Sequence, residues 1–408
     1  MAENKRGRSS FLLPRPPVIT AWASVAGKKE SQGPLGHCFD KTSQDTFFGQ
    51  KTWEQAEKAM QEQALSLLLK KAEIQRFDLD LVLSGDLLNQ CIGSAFSVRN
   101  TGLPHLGLYG ACSTMAESLL LASLAITAGI ADRAAAQTSS HFASSERQYR
   151  FPLGYGGQRT PTAQWTVTGS GAVLVCRSGK GPRITAATIG TVTDLGIQDA
   201  NNMGAAMAPA ALATIRQHLE DLGREPEYYD RIVTGDLGKV GKEILLDQFH
   251  QVGVNLEDRY TDCGVLVFDL EGQDVHAGGS GCGCSAIVLC GYLLDQLRQG
   301  KAGLHIAPHR VQNHQKRLNI RVLLNGHQLR DHVFIFGHFL GLPGRGMPLD
   351  QAHHGQAVDG VLALGADHRA RVHHIFLLQL FLFHLGVGGV LAPALVRFLV
   401  HLLFFPLP

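Results

Sequence analysis

Apolar and polar positions along the first three hundred residues follow two alternating periods. Residues 53–72, WEQAEKAMQEQALSLLLKKA, carry apolar side chains at helical spacing with charges opposite, which predicts an amphipathic helix. LDLVLSGD (79–86) reads as a buried strand ending in a turn, and LPHLGLYGA (103–111) as a second strand. CSTMAESLLLASLAITAGI (112–130) is apolar almost all round and predicts a buried helix, followed by a strand at RAAAQTSS (133–140). SGAVLVCR (170–177) and ITAATIG (184–190) read as adjacent strands, and ALATIRQHLEDLG (211–223) as a helix closed by Gly223. Strands alternating with helices predict an α/β fold.

The plan repeats. YDRIVTGDLGKVG (229–241) matches DLVLSGDLLNQ (80–90) at an offset of 150 residues, so each half has a strand leading into a Gly-Asp-Leu turn. GACST (110–114) and GCGCSA (281–286) each read as a small-residue turn with Cys opening an apolar helix. The economical reading is one unit used twice, with halves at 1–175 and 176–301.

Composition divides the 408 residues differently. Residues 302–408 contain no Ser, Thr, Glu, Cys, Tyr or Trp, whereas the first 301 hold 20 Ser and 19 Thr. At that rate the last 107 residues would hold about 14, far from none. The tail also takes 13 of the 19 histidines and has 9 basic against 4 acidic residues, leaving 28 against 31 in the body. The simplest reading is a shifted reading frame beyond about residue 301, with the last strands of the second half missing. The rival is a fused membrane anchor, because residues 375–396 form an almost uncharged run of spanning length. The net charge of +2 gives no electrostatic footprint for nucleic acid.

All eight cysteines lie in the body, at 38, 91, 112, 176, 263, 282, 284 and 290, without a paired CxxC pattern, so reduced thiols and no metal site are expected. The N-terminus lacks an apolar stretch of signal-peptide length before Pro14, and the body has no run of 18 apolar residues.

Cys112 is the sharpest chemical candidate, since it sits where a strand ends and a buried helix begins. Helix N-termini favour a thiolate, which could accept an acyl group with N–H groups stabilising the oxyanion. The alternative is a small inert Cys filling a crowded turn. His141 is the best-placed histidine of the body, either a base or a structural loop residue; His37 and His105 read as surface or strand-entry residues. Asp86 and Asp236 occupy matching turns, where a carboxylate orients a base, binds a cation or caps the next segment. AGGSGCGCSA (277–286) lacks the endings of a P-loop or a dinucleotide fingerprint, so its glycines read as close backbone approach beside a pocket. GYGGQRTPTAQWTVTGSGA (154–172) reads as a loop that could cover that pocket.

The strings LYGACSTMAES (108–118), SGDLLNQ (84–90), TSSHFASSERQYRFP (138–152), YGGQRTPTAQWTVTGSGAV (155–173), DLGIQDANNMGAAMAPAA (194–211), TGDLGKVG (234–241) and the stretch DCG…AGGSGCGCSA (262–286) resemble one branch of the thiolase and ketoacyl-synthase superfold. That branch is the stage V sporulation protein AD family of spore-forming bacteria, and the likeness runs from about residue 14 to residue 300. The resemblance implies a thiolase-like αβαβα architecture of two pseudo-symmetric halves, often a homodimer. It implies a non-catalytic protein that binds dipicolinic acid, alone or with calcium, and needs no other cofactor. It would act with SpoVA membrane proteins at the forespore or spore inner membrane, in uptake during sporulation and release in germination, from the cytoplasm or peripherally. The pocket it implies contains Asp86, Asn89, Cys112, His141, Arg147, Asp236 and Ser280, with Arg150 a further donor for a dianion. Condensing enzymes of the superfold pair the Cys with a His and an Asn or second His. Motif alignment sets Asp236 and Ser280 at those places, and neither is a base of that kind. The alternatives are an acyltransferase using Cys112 and His141, and a scaffold that only docks SpoVA proteins.

Overall fold

The first half is built on a six-stranded sheet. Its strands in chain order are Val18–Ala26 (β1), Lys41–Thr42 (β2), Leu81–Gly85 (β3), His105–Leu108 (β4), Arg133–Ser140 (β5) and Gly169–Cys176 (β6). Across the sheet they run β2-β1-β6-β5-β3-β4. β6 is antiparallel to both β1 and β5, while β3 is parallel to β4 and β5. Period-two alternation on β6 sends Val173 and Val175 to one face and Ala172, Leu174 and Cys176 to the other. A bulge between Ile19 and Ala21 puts Ile19 and Trp22 on the same face although they are three residues apart.

The computed structural model describes residues 3–149, 158–299, 321–323, 328–330 and 332–337, all within the compact unit Met1–Pro343. The apolar run at 375–396 and most of the tail lie outside the described residues. Six helices shape the site: Trp53–Ala72 (α1), Thr114–Thr127 (α2), Phe142–Tyr149 (α3), Met203–Leu222 (α4), Gly238–Gln251 (α5) and Cys282–Val288 (α6). α1 starts at Thr52, whose hydroxyl accepts the Gln55 N–H, and lays Met60, Ala64 and Leu68 on the outer face of the sheet. The amphipathic expectation needs one correction here: Glu57 and Gln61 share that buried face. α2, preceded by a 3-10 turn at Ala111–Ser113, lies with α6 against the inner face.

A second sheet begins with Ala186–Ile189 (β7). It pairs antiparallel with Ser10–Leu12 and parallel with His332–Gly337, and Gln328–Arg330 and Arg321–Leu323 extend it. β6 and β7, expected to be neighbours, therefore belong to different sheets. The turn between them folds back on β1, where the Ile19 N–H donates to Pro182 O, and the chain leaves for the other layer. Ile232–Thr234 (β8) and Tyr260–Asp262 (β9) form a short parallel ladder, with α4 and α5 packed around it. α4 ends as expected, with Gly223 in the left-handed conformation at its C-cap. The layers run α1, first sheet, α2 with α6, second sheet, α4 with α5: α–β–α–β–α.

Candidate functional site

The duplication places the chemistry. β3 runs into Gly85-Asp86-Leu87, its parallel neighbour β4 follows, and the chain then reaches Cys112. β8 runs into Gly235-Asp236-Leu237, its parallel neighbour β9 follows, and the chain reaches Cys263. Cys263 opens only the four-residue helix Cys263–Leu266, whereas the turns at Cys112 and Gly281 open α2 and α6 of the middle layer. GCGCSA is reached through a further short strand: Gly279–Ser280 is parallel to Trp165–Thr166, and Gly281 turns it into α6.

Cys112 is buried between the halves, packed in the same cluster as Met207, Ala208 and Leu237. Ala111 before it has φ 47°, a conformation a non-glycine residue holds only under tight packing. Burial, and then the hydrogen-bonded carboxylate of Asp236, push the Cys112 thiol well above its ordinary range. The thiolate expected from the helix start is thus replaced by a thiol. Asp236 also accepts the Gly281 N–H at 2.8 Å, and its backbone oxygen accepts from Gln164 at 2.8 Å. Gly281 has φ 92°, which opens the turn that presents this N–H.

The remaining predicted residues divide. Asp86 is buried and caps its own turn, accepting the N–H groups of Leu88 and Ser94 and the Ser94 hydroxyl. Ser280 is buried beside Gly281 and accepts the Val167 N–H through its backbone oxygen at 2.9 Å. His141 is buried, but its Nε2 donates to Thr46 O at 2.8 Å and its Nδ1 accepts from the Ala143 N–H at 3.2 Å. Both ring nitrogens are committed to backbone, and burial lowers its pKa, so it is a neutral structural histidine. Asn89 is exposed and pairs with Gln148. Arg147 is half-exposed, ion-paired with Glu54 and set over the Trp53 ring. Arg150 lies outside the described residues.

Glu30, Glu57, Glu146 and Asp262 are buried acids outside the set that the sequence singles out. Asp262 accepts the N–H groups of Leu237, Gly238 and Gly264 and the Thr234 hydroxyl; burial raises it to about 7 although these bonds oppose the shift. Glu146 is buried and accepts the Thr166 hydroxyl at 3.0 Å. Glu57 accepts hydroxyls from Ser139 and Ser144 and is raised by burial and by Asp86. Topology at β9 is the available signal for Asp262. For Glu146 and Glu57 a period count offers none, because a buried Glu on a helix looks like a solvated one. Among the described residues no group of three or more His, Cys, Asp or Glu is arranged to hold a metal ion. Two surface cavities, of about 360 and 620 Å³, are lined by none of the seven predicted residues.

The layered halves and the Cys at a helix start define a thiolase-like α/β protein. The 3-oxoacyl-(acyl carrier protein) synthase III of Xanthomonas oryzae shares the fold, with a TM-score of 0.50 at 14% identity over 78% of this chain and 98% of that one. The profile of the family Stage V sporulation protein AD (SpoVAD) matches residues 7–306, and the chain belongs to that family. Stage V sporulation protein AD of Bacillus subtilis (strain 168) is 45% identical over 295 residues, 72% of this chain and 87% of that protein. Among the described residues no helix is long and apolar enough to cross a membrane.

Proposed function

We propose that the chain binds dipicolinate at the Cys112 centre without turning it over, and binds it as the calcium complex. The observation that carries this is the state of the would-be catalytic pair: Cys112 is a protonated thiol against Asp236, and His141 has both ring nitrogens on backbone partners. Acyl transfer needs a thiolate and a base. Asp236 and Asp262 place two carboxylates at this centre, and Asp236 adds to the cost of ionising Asp262. A bare dianion meets like charge there, whereas a calcium ion chelated by dipicolinate turns the same contact into attraction.

Family membership supports a sporulation role in which the chain works with SpoVA membrane proteins at the spore inner membrane, peripherally, in dipicolinate uptake and later release. The same superfold supports a homodimer. The family match ends at residue 306, within a few residues of the composition break, which supports a shifted frame in the tail. The nucleotide sequence around codon 301 tests that part.

Calorimetric titration of the full chain with dipicolinate, with and without calcium, tests the rest. The expected result is saturable heat, stronger with calcium and weakened at least tenfold by Asp236→Asn. No saturable heat from folded protein in either condition overturns the reading. A Cys112 acyl adduct that turns over would favour acyl transfer, and SpoVA complex formation without ligand binding would favour a scaffold.

A further inference from the structure

We propose that the 360 Å³ cavity beside the β1 bulge is a second binding site, for a small anion bearing two charged carboxylate or phosphate groups. Its wall comes from three separate elements: Thr20 and Trp22 of β1, Lys71 in the last turn of α1, and Arg298 with Leu297 in the last described helix. The turn carrying Lys180 closes it.

That turn is fixed against the strand. Gly179 and Gly181 both have φ 147°, and a Cβ on Gly181 would stand 2.0 Å from Ile19 O. Lys180 is therefore held between two residues that only glycine fills without strain. The turn is also anchored by the Ile19 N–H, which donates to Pro182 O at 2.8 Å. The β1 bulge lies at the same place, a common device for re-aiming side chains beside a site. Trp22 is buried, and the Arg298 guanidinium sits 5.2 Å over its ring.

Charge is unbalanced here. Lys71 is paired with Asp40 at 2.7 Å and Arg298 with Asp295 at 2.7 Å, while Lys180 has no carboxylate within ion-pair distance among the described residues. Three cations face two carboxylates, leaving one positive charge at the mouth of a cavity with an aromatic wall. An anion that bridges Lys180 and Arg298 completes the set. None of these residues belongs to the Cys112 centre, so this site stands or falls separately from the proposed function.

Calorimetry of the full chain at low salt, with inorganic pyrophosphate and with isophthalate as separate probes, tests it. One probe is expected to bind saturably, with affinity falling at least tenfold in both Lys180→Gln and Arg298→Gln and unchanged in Asp236→Asn. Pyrophosphate binding alone identifies a phosphate ligand, and isophthalate binding alone an aromatic dicarboxylate. Both side chains are exposed, so the variants fold, which circular dichroism checks. No saturable binding of either probe, or binding that both variants leave intact, overturns the proposal.

Discussion

A thiol at the start of a helix ordinarily loses its proton more readily, because unpaired N–H groups and the positive dipole end favour the thiolate. At Cys112 two larger effects oppose that one, burial first and the Asp236 carboxylate second. Removing the charge while keeping an acceptor for the Gly281 N–H isolates the second effect. Asp236→Asn is expected to speed alkylation of Cys112 by iodoacetamide severalfold at pH 8, read as the rate of loss of the unmodified peptide by mass spectrometry. An unchanged rate would mean that burial alone governs the thiol. Cys112 and Asp236 are legible in the sequence because a strand and a Gly-Asp-Leu turn recur in both halves, and a small-residue turn marks the start of α2. Arg147 and Glu146 are not, because one residue along a helix is about 100° of rotation. That step puts Arg147 on the surface beside Trp53 and Glu146 inside against Thr166.

Elements meet closely where side chains vanish. A Cβ on Gly171 of β6 would lie 2.5 Å from Ala286 O, and one on Gly283 of α6 would lie 2.5 Å from the Ser140 hydroxyl oxygen. α6 thus rests directly on the sheet, and its start supplies the Gly281 N–H to Asp236. Gly171→Ala is expected to cost about 2–4 kcal/mol, since backbone rather than a flexible side chain must move. Gly253→Ala, at φ 78° with nothing within 4 Å, is expected to cost only about 1 kcal/mol of conformational strain. Thermal unfolding of the two variants checks the difference; equal melting temperatures would place α6 farther from β6. Long periodic elements such as α1, α2 and β6 are legible because many residues vote for one period. β9 is not, because three residues of mixed polarity, Tyr260, Thr261 and Asp262, carry no period, and without it the buried Asp262 stays hidden. The separation of β6 from β7 is hidden for another reason: a turn that folds back on β1 reads locally like a hairpin.

Across the whole molecule, buried carboxylates run from one half to the other. Glu30 is raised by burial to about 7 while accepting the Thr168 N–H, and Asp262 is raised to about 7. Glu57 is raised to about 8 by burial and then by Asp86, which burial raises as well. A carboxyl whose folded pKa lies above its unfolded value stabilises the fold while protonated. That contribution is complete below the unfolded value and is lost as pH rises through the folded one. His105 and His141, lowered by burial, act in the opposite sense, but only as pH falls below about 6.5. The buried thiols oppose folding only above about pH 8.5, where the unfolded chain ionises them. Among the described residues with shifted values, the raised carboxyls therefore set the trend between about pH 6.5 and pH 8. Stability is expected to fall by about 3 kcal/mol over that window, since each tenfold difference in proton affinity between the folded and unfolded chain is worth about 1.4 kcal/mol. Urea unfolding at the two pH values measures this. Ser139 and Ser144 donate to different oxygens of Glu57, so Glu57→Gln keeps the shape and only one of these bonds while removing the charge; it is expected to lose stability at pH 6.5 but to flatten the decline towards pH 8. A wild-type stability that stays flat across this window would show that the hydroxyl and N–H donors around these carboxylates outweigh their burial, and that the acid core is ionised in the folded protein.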